Sequence, residues 1–146
     1  MRLAFYNLHT NERLETTFWT NGRLVPQALD EIDHLLRDHR TNEVRSIDPK
    51  LLGLLYILRQ KAGSRQPFNI ISGYRSPQTN AALRAHSTGV ATRSLHMEGK
   101  AIDIALPGCD LDRLRQLALS LQSGGVGYYP RPGFIHLDTG PLRHWA

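Results

Sequence analysis

Cysteine is nearly absent. The 146 residues contain one, Cys109, which excludes an intramolecular disulfide framework and a cysteine-based structural zinc site. The longest apolar run, Leu51 to Leu58, falls far short of the roughly 20 residues that span a bilayer, so no transmembrane segment is expected. Twelve Gly and eight Pro are scattered rather than clustered, which leaves no linker or collagen-like tract, and internal repeats are missing too. No two Lys or Arg residues are adjacent and no basic stretch is interleaved with aromatics. A nucleic-acid footprint gathers its positive charge on one face or along one helix, so no nucleic-acid partner is expected. Met1 is followed by a mixed segment, Arg2 to His9, rather than by an apolar leader core. Taken literally this describes a cytoplasmic chain, and equally a mature domain without its leader.

What is present is ordinary globular usage, 40% hydrophobic and 21% charged residues, with a basic balance of 18 Lys+Arg against 13 Asp+Glu, net +5. That balance favours anionic partners such as nucleic acid, acidic lipid or an acidic wall polymer. The length fits one compact domain over residues 1–146.

Local patterns divide the chain into elements. Leu3, Phe5, Leu8 and Leu14, Thr16, Phe18 alternate around a polar turn, predicting an N-terminal hairpin within residues 1–20. Pro26 opens a helix with apolar positions Leu29, Ile32, Leu35 and Leu36. Asp48-Pro49 starts a second helix that runs to about Lys61 and ends at Gly63. Phe68 to Ser72 reads as a buried strand, Ser76-Pro77 as the start of a helix to about Ala85, and Ser87 to Arg93 as a loop. Ala101 to Leu106 is a strand, Asp110 to Leu121 an amphipathic helix, and Gly125 to Tyr129 and Phe134 to Asp138 two closing strands. The expected fold class is α+β: helices packed on a small, mostly antiparallel sheet in the second half of the chain.

Of seven histidines, His9, His34, His39 and His144 read as solvated side chains and His86 as a helix terminator. His96 and His136 read differently. Asp103 lies seven residues after His96, on a strand where Ala101, Asp103 and Ala105 share the face opposite Ile102, Ile104 and Leu106. Small neighbours leave room for whatever that carboxylate holds, and Gly99 lets the chain turn so that His96 returns to the same face. On the last strand His136 and Asp138 share a face. If these strands are neighbours, His96, Asp103 and His136 converge. Two imidazoles and a carboxylate are the ligand set of an open, catalytic zinc site. A ferrous facial triad uses the same donors, and two backbone-bonded histidines with a turn-capping Asp103 would give the same spacing. No HExxH occurs.

Three other residues belong to this neighbourhood. Arg75, on the turn after a buried strand, suits a substrate carboxylate or an oxyanion, or simply closes a loop. Ser94 suits a substrate contact or a loop. Cys109 has no partner at nucleophile or ligand spacing and reads as structural.

Four segments carry a resemblance: Ser72 to Asn80 (SGYRSPQTN), Ser94 to Asp103 (SLHMEGKAID), Gly124 to Pro130 (GGVGYYP) and Phe134 to Gly140 (FIHLDTG). With Leu35 to Arg40, and over nearly the whole chain, they resemble the murein endopeptidase K (MepK, YcbK-like) family. That family belongs to the LAS group of zinc peptidases, with the D-Ala-D-Ala peptidases and the hedgehog signalling domain. The resemblance implies that fold and a zinc hydrolase of peptidoglycan cross-links in the periplasm or cell envelope, which makes a processed chain the expected form. It implies zinc ligands His96, Asp103 and His136 in a metal-site core over residues 67–140, a single Zn2+ per chain and cross-linked wall peptides as partners; a monomer is the expected form, although the sequence itself carries no sign of oligomeric state. Arg75 matches the arginine that assists the substrate carbonyl, with Ser94 beside it.

Many LAS peptidases carry a glutamate or a second histidine just before the final ligand as general base. Here those positions are Gly133 and Phe134. Asp138 is therefore the base expected from the sequence, with an orienting or turn-capping role as its alternative. Rival functions are a D,D-carboxypeptidase and a non-catalytic, zinc-holding wall-binding module.

Overall fold

In the computed structural model, which describes residues 1–146, the sheet is larger than the sequence suggests. Its strands are β1 (Arg2–Asn7), β2 (Arg13–Thr17), β5 (Phe68–Ser72), β6 (Ala101–Ala105), β7 (Gly125–Tyr129), β8 (Phe134–Asp138) and β9 (Arg143–Trp145). They form one seven-stranded sheet in the order β2-β1-β5-β6-β8-β7-β9. A separate two-stranded ribbon joins β3 (Trp19–Thr20) to β4 (Arg23–Leu24). The expected N-terminal hairpin forms, and β1 then continues the sheet by pairing parallel to β5. The second parallel contact, β7 with β9, comes from a C-terminal strand that alternation does not reveal. The other main-sheet pairs are antiparallel, consistent with an α+β domain.

Four helices follow from local rules: α1 (Pro26–Leu35), α2 (Pro49–Ala62), α3 (Pro77–His86) and α4 (Leu111–Ser120). Three of them begin with Pro, whose fixed φ and missing N–H suit the first helical position. Asp48 accepts a hydrogen bond from the Lys50 N–H at 3.0 Å, and Gly63 ends α2 in the left-handed region at φ 66. Ser76 caps α3 by accepting from the Thr79 N–H at 3.1 Å.

The aliphatic side of the sheet forms the core. Leu3, Phe5, Phe68, Ile70, Ile102, Ile104, Ile135 and Leu137 are all at most 1% exposed and join the buried residues of α1, α2 and α4 in one cluster. Each large side chain removed from water there contributes about 2 kcal/mol. Period-two alternation then forces Asp103, His136 and Asp138 onto the opposite face. No helix is long and apolar enough to cross a membrane.

Candidate active site

Register brings the two site strands together. Asp103 on β6 is paired directly with His136 on β8, so their side chains rise side by side from the polar face. His96 arrives from a single 3-10 turn, Leu95–Glu98, which Ser94 caps by accepting from the His96 N–H at 3.2 Å. Gly99 ends that turn at φ 68, and a Cβ built on it would collide with the Ser46 carbonyl oxygen, so the glycine return expected from sequence is also sterically required.

All three groups are buried, His96 3%, Asp103 6% and His136 9% exposed. His96 Nε2 lies 3.3 Å from Asp103 Oδ1 and His136 Nδ1 lies 3.1 Å from the same oxygen. One ligand atom from each residue falls within 4.8 Å of the others. The far ring nitrogens explain this orientation. His96 Nδ1 donates to the Gly73 carbonyl at 2.8 Å, and an oxygen that only accepts fixes that tautomer. His136 Nε2 meets Asp138 Oδ2 at 2.7 Å. His96 Nε2 is thereby aimed at the Asp103 carboxylate, His136 lies between the carboxylates of Asp103 and Asp138, and the cluster calls for a positive charge where the three groups meet. The donor set fits a metal ion.

Charges respond accordingly. Burial pushes the Asp103 carboxyl up, but His96 and His136 outweigh it and hold the group well below the usual carboxylate range. Burial pushes His136 down, and its hydrogen bonds to Asp103 and Asp138 reverse this and raise it.

Asp138 is 0% exposed and its oxygens are fully engaged. Oδ1 accepts from the Gly125 N–H at 2.8 Å, the Gly140 N–H at 2.9 Å and Arg143 Nη1 at 3.0 Å. Oδ2 accepts from Arg143 Nη2 at 2.8 Å besides meeting His136. Burial raises this carboxyl, and the contacts with His136, Arg143 and the two amides hold it far below its ordinary value.

Arg75 lines the same cleft, of about 590 Å³. It donates through Nη1 to Asn80 Oδ1 at 3.2 Å, and its Nε is buried with no partner. Burial pushes its guanidinium pKa down. The Arg75 N–H donates to the His96 carbonyl at 3.0 Å, locking the arginine turn to the ligand turn. That turn rests on the end of α1: the Tyr74 N–H donates to the Leu36 carbonyl at 2.7 Å, and buried Asp38 accepts from the Ser76 N–H at 2.9 Å. Ser94 also lines the cleft. Gly133 forms a turn at φ 88, while Phe134 stacks on Tyr129 with ring centroids 4.7 Å apart, so no acid or base stands just before His136. Among the remaining histidines, exposed His9 and half-buried His39 stack with ring centroids 3.9 Å apart.

Sequence reasoning missed the strand β9. Across the polar face, one row of paired residues runs Ser72, Asp103, His136, Gly127, Trp145. Gly127 has no side chain, so Trp145 folds over it and comes within 5.1 Å of the His136 ring, centroid to centroid. Gly125, paired with Arg143, makes the same allowance for the Arg143–Asp138 ion pair: a Cβ there would lie 2.5 Å from Arg143 Nη1. The only sequence signal was the G-x-G spacing of Gly125 and Gly127, which reads as a weak strand until its neighbours are known.

An α+β sheet presenting two imidazoles and a carboxylate into a cleft fits the class of an open, catalytic metal site better than that of a closed structural one. Known proteins narrow the class. The family model described as Peptidoglycan L,D-endopeptidase MepK matches residues 1–145. The chain is 47% identical over 143 residues to the peptidoglycan L,D-endopeptidase MepK of Escherichia coli K12, covering 98% of this chain and 79% of that protein. It is 45% identical over 144 residues to the probable peptidoglycan L,D-endopeptidase MepK of Haemophilus influenzae, covering 98% and 77%. The chain belongs to the MepK family of peptidases.

Proposed function

We propose that this chain is a zinc-dependent murein endopeptidase that hydrolyses peptide cross-links of peptidoglycan in the periplasm or cell envelope, working as a monomer. The observation that carries the reading is the convergence of His96 Nε2, Asp103 Oδ1 and His136 Nδ1 on one point of the cleft, supported by the family membership. The L,D designation of the relatives favours the diaminopimelate–diaminopimelate bond over the D-Ala–diaminopimelate bond.

His96, Asp103 and His136 would hold the zinc ion, with Gly73 and Asp138 fixing the two rings. Zinc in such a site supplies Lewis acidity, polarising the scissile carbonyl and making water nucleophilic near neutral pH. Arg75 directs its guanidinium to the carbonyl oxygen, where negative charge gathers in the transition state. Ser94 Oγ already accepts from the His96 N–H, which leaves its hydroxyl proton for the substrate. Arg75 and Arg93 line the cleft and attract the free carboxylates of wall peptides. Asp138, sealed from solvent and bonded on the far side of the His136 ring, orients that ligand rather than taking a proton from water.

The test incubates zinc-loaded protein, with and without chelator, on purified cross-linked muropeptide dimers and follows products by mass. Chelator-sensitive conversion of dimers to monomers is the expected result, and fragment masses identify the bond. Release of single D-alanine would indicate a carboxypeptidase, and intact dimers bound by zinc-replete protein would indicate a wall-binding module; either outcome refutes the proposal.

A further inference from the structure

The cleft contains no acid or imidazole beyond His96, His136, Asp103 and the buried Asp138, yet it contains one phenol whose orientation is fixed from two sides. Tyr129 ends β7 on the face that carries His136, two residues beyond Gly127 and paired with Phe134. Phe134 holds the ring plane by stacking at 20°. Trp145 holds the oxygen: its Nε1–H donates to Tyr129 Oη at 2.8 Å. An indole nitrogen only donates, so the tyrosine oxygen is the acceptor and its own proton remains unspent. Tyr129 donates no hydrogen bond to another protein group. A hydroxyl with its lone pair occupied and its proton unpartnered, on the wall of the cleft that holds the three ligands and Arg75, is a preorganised donor of the kind that stabilises developing charge.

We propose that the Tyr129 hydroxyl, set by Trp145, is a catalytic hydrogen-bond donor to the scissile carbonyl oxygen, acting beside Arg75. This rests on the endopeptidase reading. Tyr129 is not a ligand and not a base: it neither gives up nor takes a proton, and its hydrogen bond strengthens as the carbonyl oxygen becomes negative. Trp145 is a positioning residue that acts through it.

The experiment compares zinc-loaded wild type, Tyr129→Phe, Trp145→Phe and the double variant on muropeptide dimers. Metal content, melting temperature and affinity for a phosphinate mimic of the tetrahedral transition state are measured alongside. Tyr129→Phe is expected to lower kcat about 10²-fold with KM changed less than twofold and with metal content and melting temperature unchanged. The phosphinate should weaken by the same factor as kcat/KM. Trp145→Phe should lower kcat about tenfold, and adding it to Tyr129→Phe should cost nothing further, because the group it sets is already gone. Wild-type kcat in Tyr129→Phe, fully multiplicative losses in the double variant, or loss of metal from Tyr129→Phe would each overturn the inference. Wild-type protein that leaves dimers intact would instead refute the endopeptidase reading. The Tyr129 inference falls with that reading, whereas the outcomes named above overturn it alone.

Discussion

Replacing Gly127 by alanine tests whether β9 is tied to the site through the gap in β7. The added Cβ would lie 2.6 Å from Trp145 Cε2, 2.7 Å from Cζ2 and 2.8 Å from Nε1, closer than carbon atoms approach one another. The sheet backbone is anchored by β8, so the indole must leave. Its departure loses the Tyr129 hydrogen bond, about 1 kcal/mol, and the ring contact with His136, about 1 kcal/mol. Against this, alanine in a strand regains about 0.5–1 kcal/mol of backbone entropy. The net is a destabilisation of about 1–1.5 kcal/mol, which lowers the melting temperature by about 3–5 °C for a chain of this size. Differential scanning calorimetry at fixed metal concentration measures it. In a Trp145→Ala background the clash is gone, so Gly127→Ala should become neutral or slightly stabilising. A destabilisation of equal size in both backgrounds would refute the reasoning, because the cost would then come from β7 itself.

Three further outcomes are expected. His96→Ala should abolish both metal binding, read by titration calorimetry, and muropeptide hydrolysis; retained hydrolysis would sink the ligand assignment. Asp38→Asn should destabilise the protein at pH 7 by about 1–3 kcal/mol, since a buried acceptor of several N–H groups is weakened. Burial raises the Asp38 carboxyl, but hydrogen bonds from Thr79, Ser76 and Arg40 overcome this and hold it well below the usual range. Its contribution is therefore complete above the unfolded value of about 3.9 and is lost as pH falls below it toward the depressed native value. The deficit of Asp38→Asn, followed by chemical denaturation, should shrink in that acid range; a deficit independent of pH down to 2 would contradict this. Finally, the net charge of +5 predicts weaker binding to anionic wall sacculi as salt rises, measured by cosedimentation; salt-insensitive binding would remove that role for the charge.

The helices and most strands were legible because each obeys a local rule: proline at a first turn, an Asp or Ser cap, a left-handed glycine at an end, alternation along a strand. The polar face that gathers Asp103 and His136 was legible for the same reason, since period two on β6 and β8 commits both to the side opposite the isoleucines whatever the strands pair with. What the sequence hid depends on register between distant strands. Arg143-His144-Trp145 is too short and too polar to alternate visibly, and its meaning appears only when β7 lies beside it with glycines at 125 and 127. The parallel pairing of β1 with β5 joins residues about 60 apart in the chain, and no nearest-neighbour pattern encodes it. Asp138 showed its face in the sequence but not its work, because Gly125 on β7 and Arg143 on β9 close around it, beside nearby Gly140, only once the strands pair.

The two imidazoles of the site are held by unlike partners, and the difference has a chemical consequence. His96 is set by a neutral carbonyl, Gly73, on a turn whose place depends on Leu36 and Asp38; a Cβ on Gly73 would lie 2.5 Å from the Leu36 oxygen, so that turn packs directly against the end of α1. His136 is set by a carboxylate that is itself ion-paired to Arg143. A carboxylate behind an imidazole makes the ring more electron-rich than a carbonyl does, so His136 would be the stronger of the two donors to a bound metal. Arg143 tempers this by drawing charge from Asp138, which keeps the carboxylate ionised while limiting how far it takes the His136 proton. Neutralising Arg143 therefore perturbs the site in the opposite electrostatic sense from neutralising Asp138, although both break the same ion pair. That opposition favours treating Asp138 and Arg143 as one unit behind the His136 ring, as the proposed function has it, over treating Asp138 as a free base in the cleft.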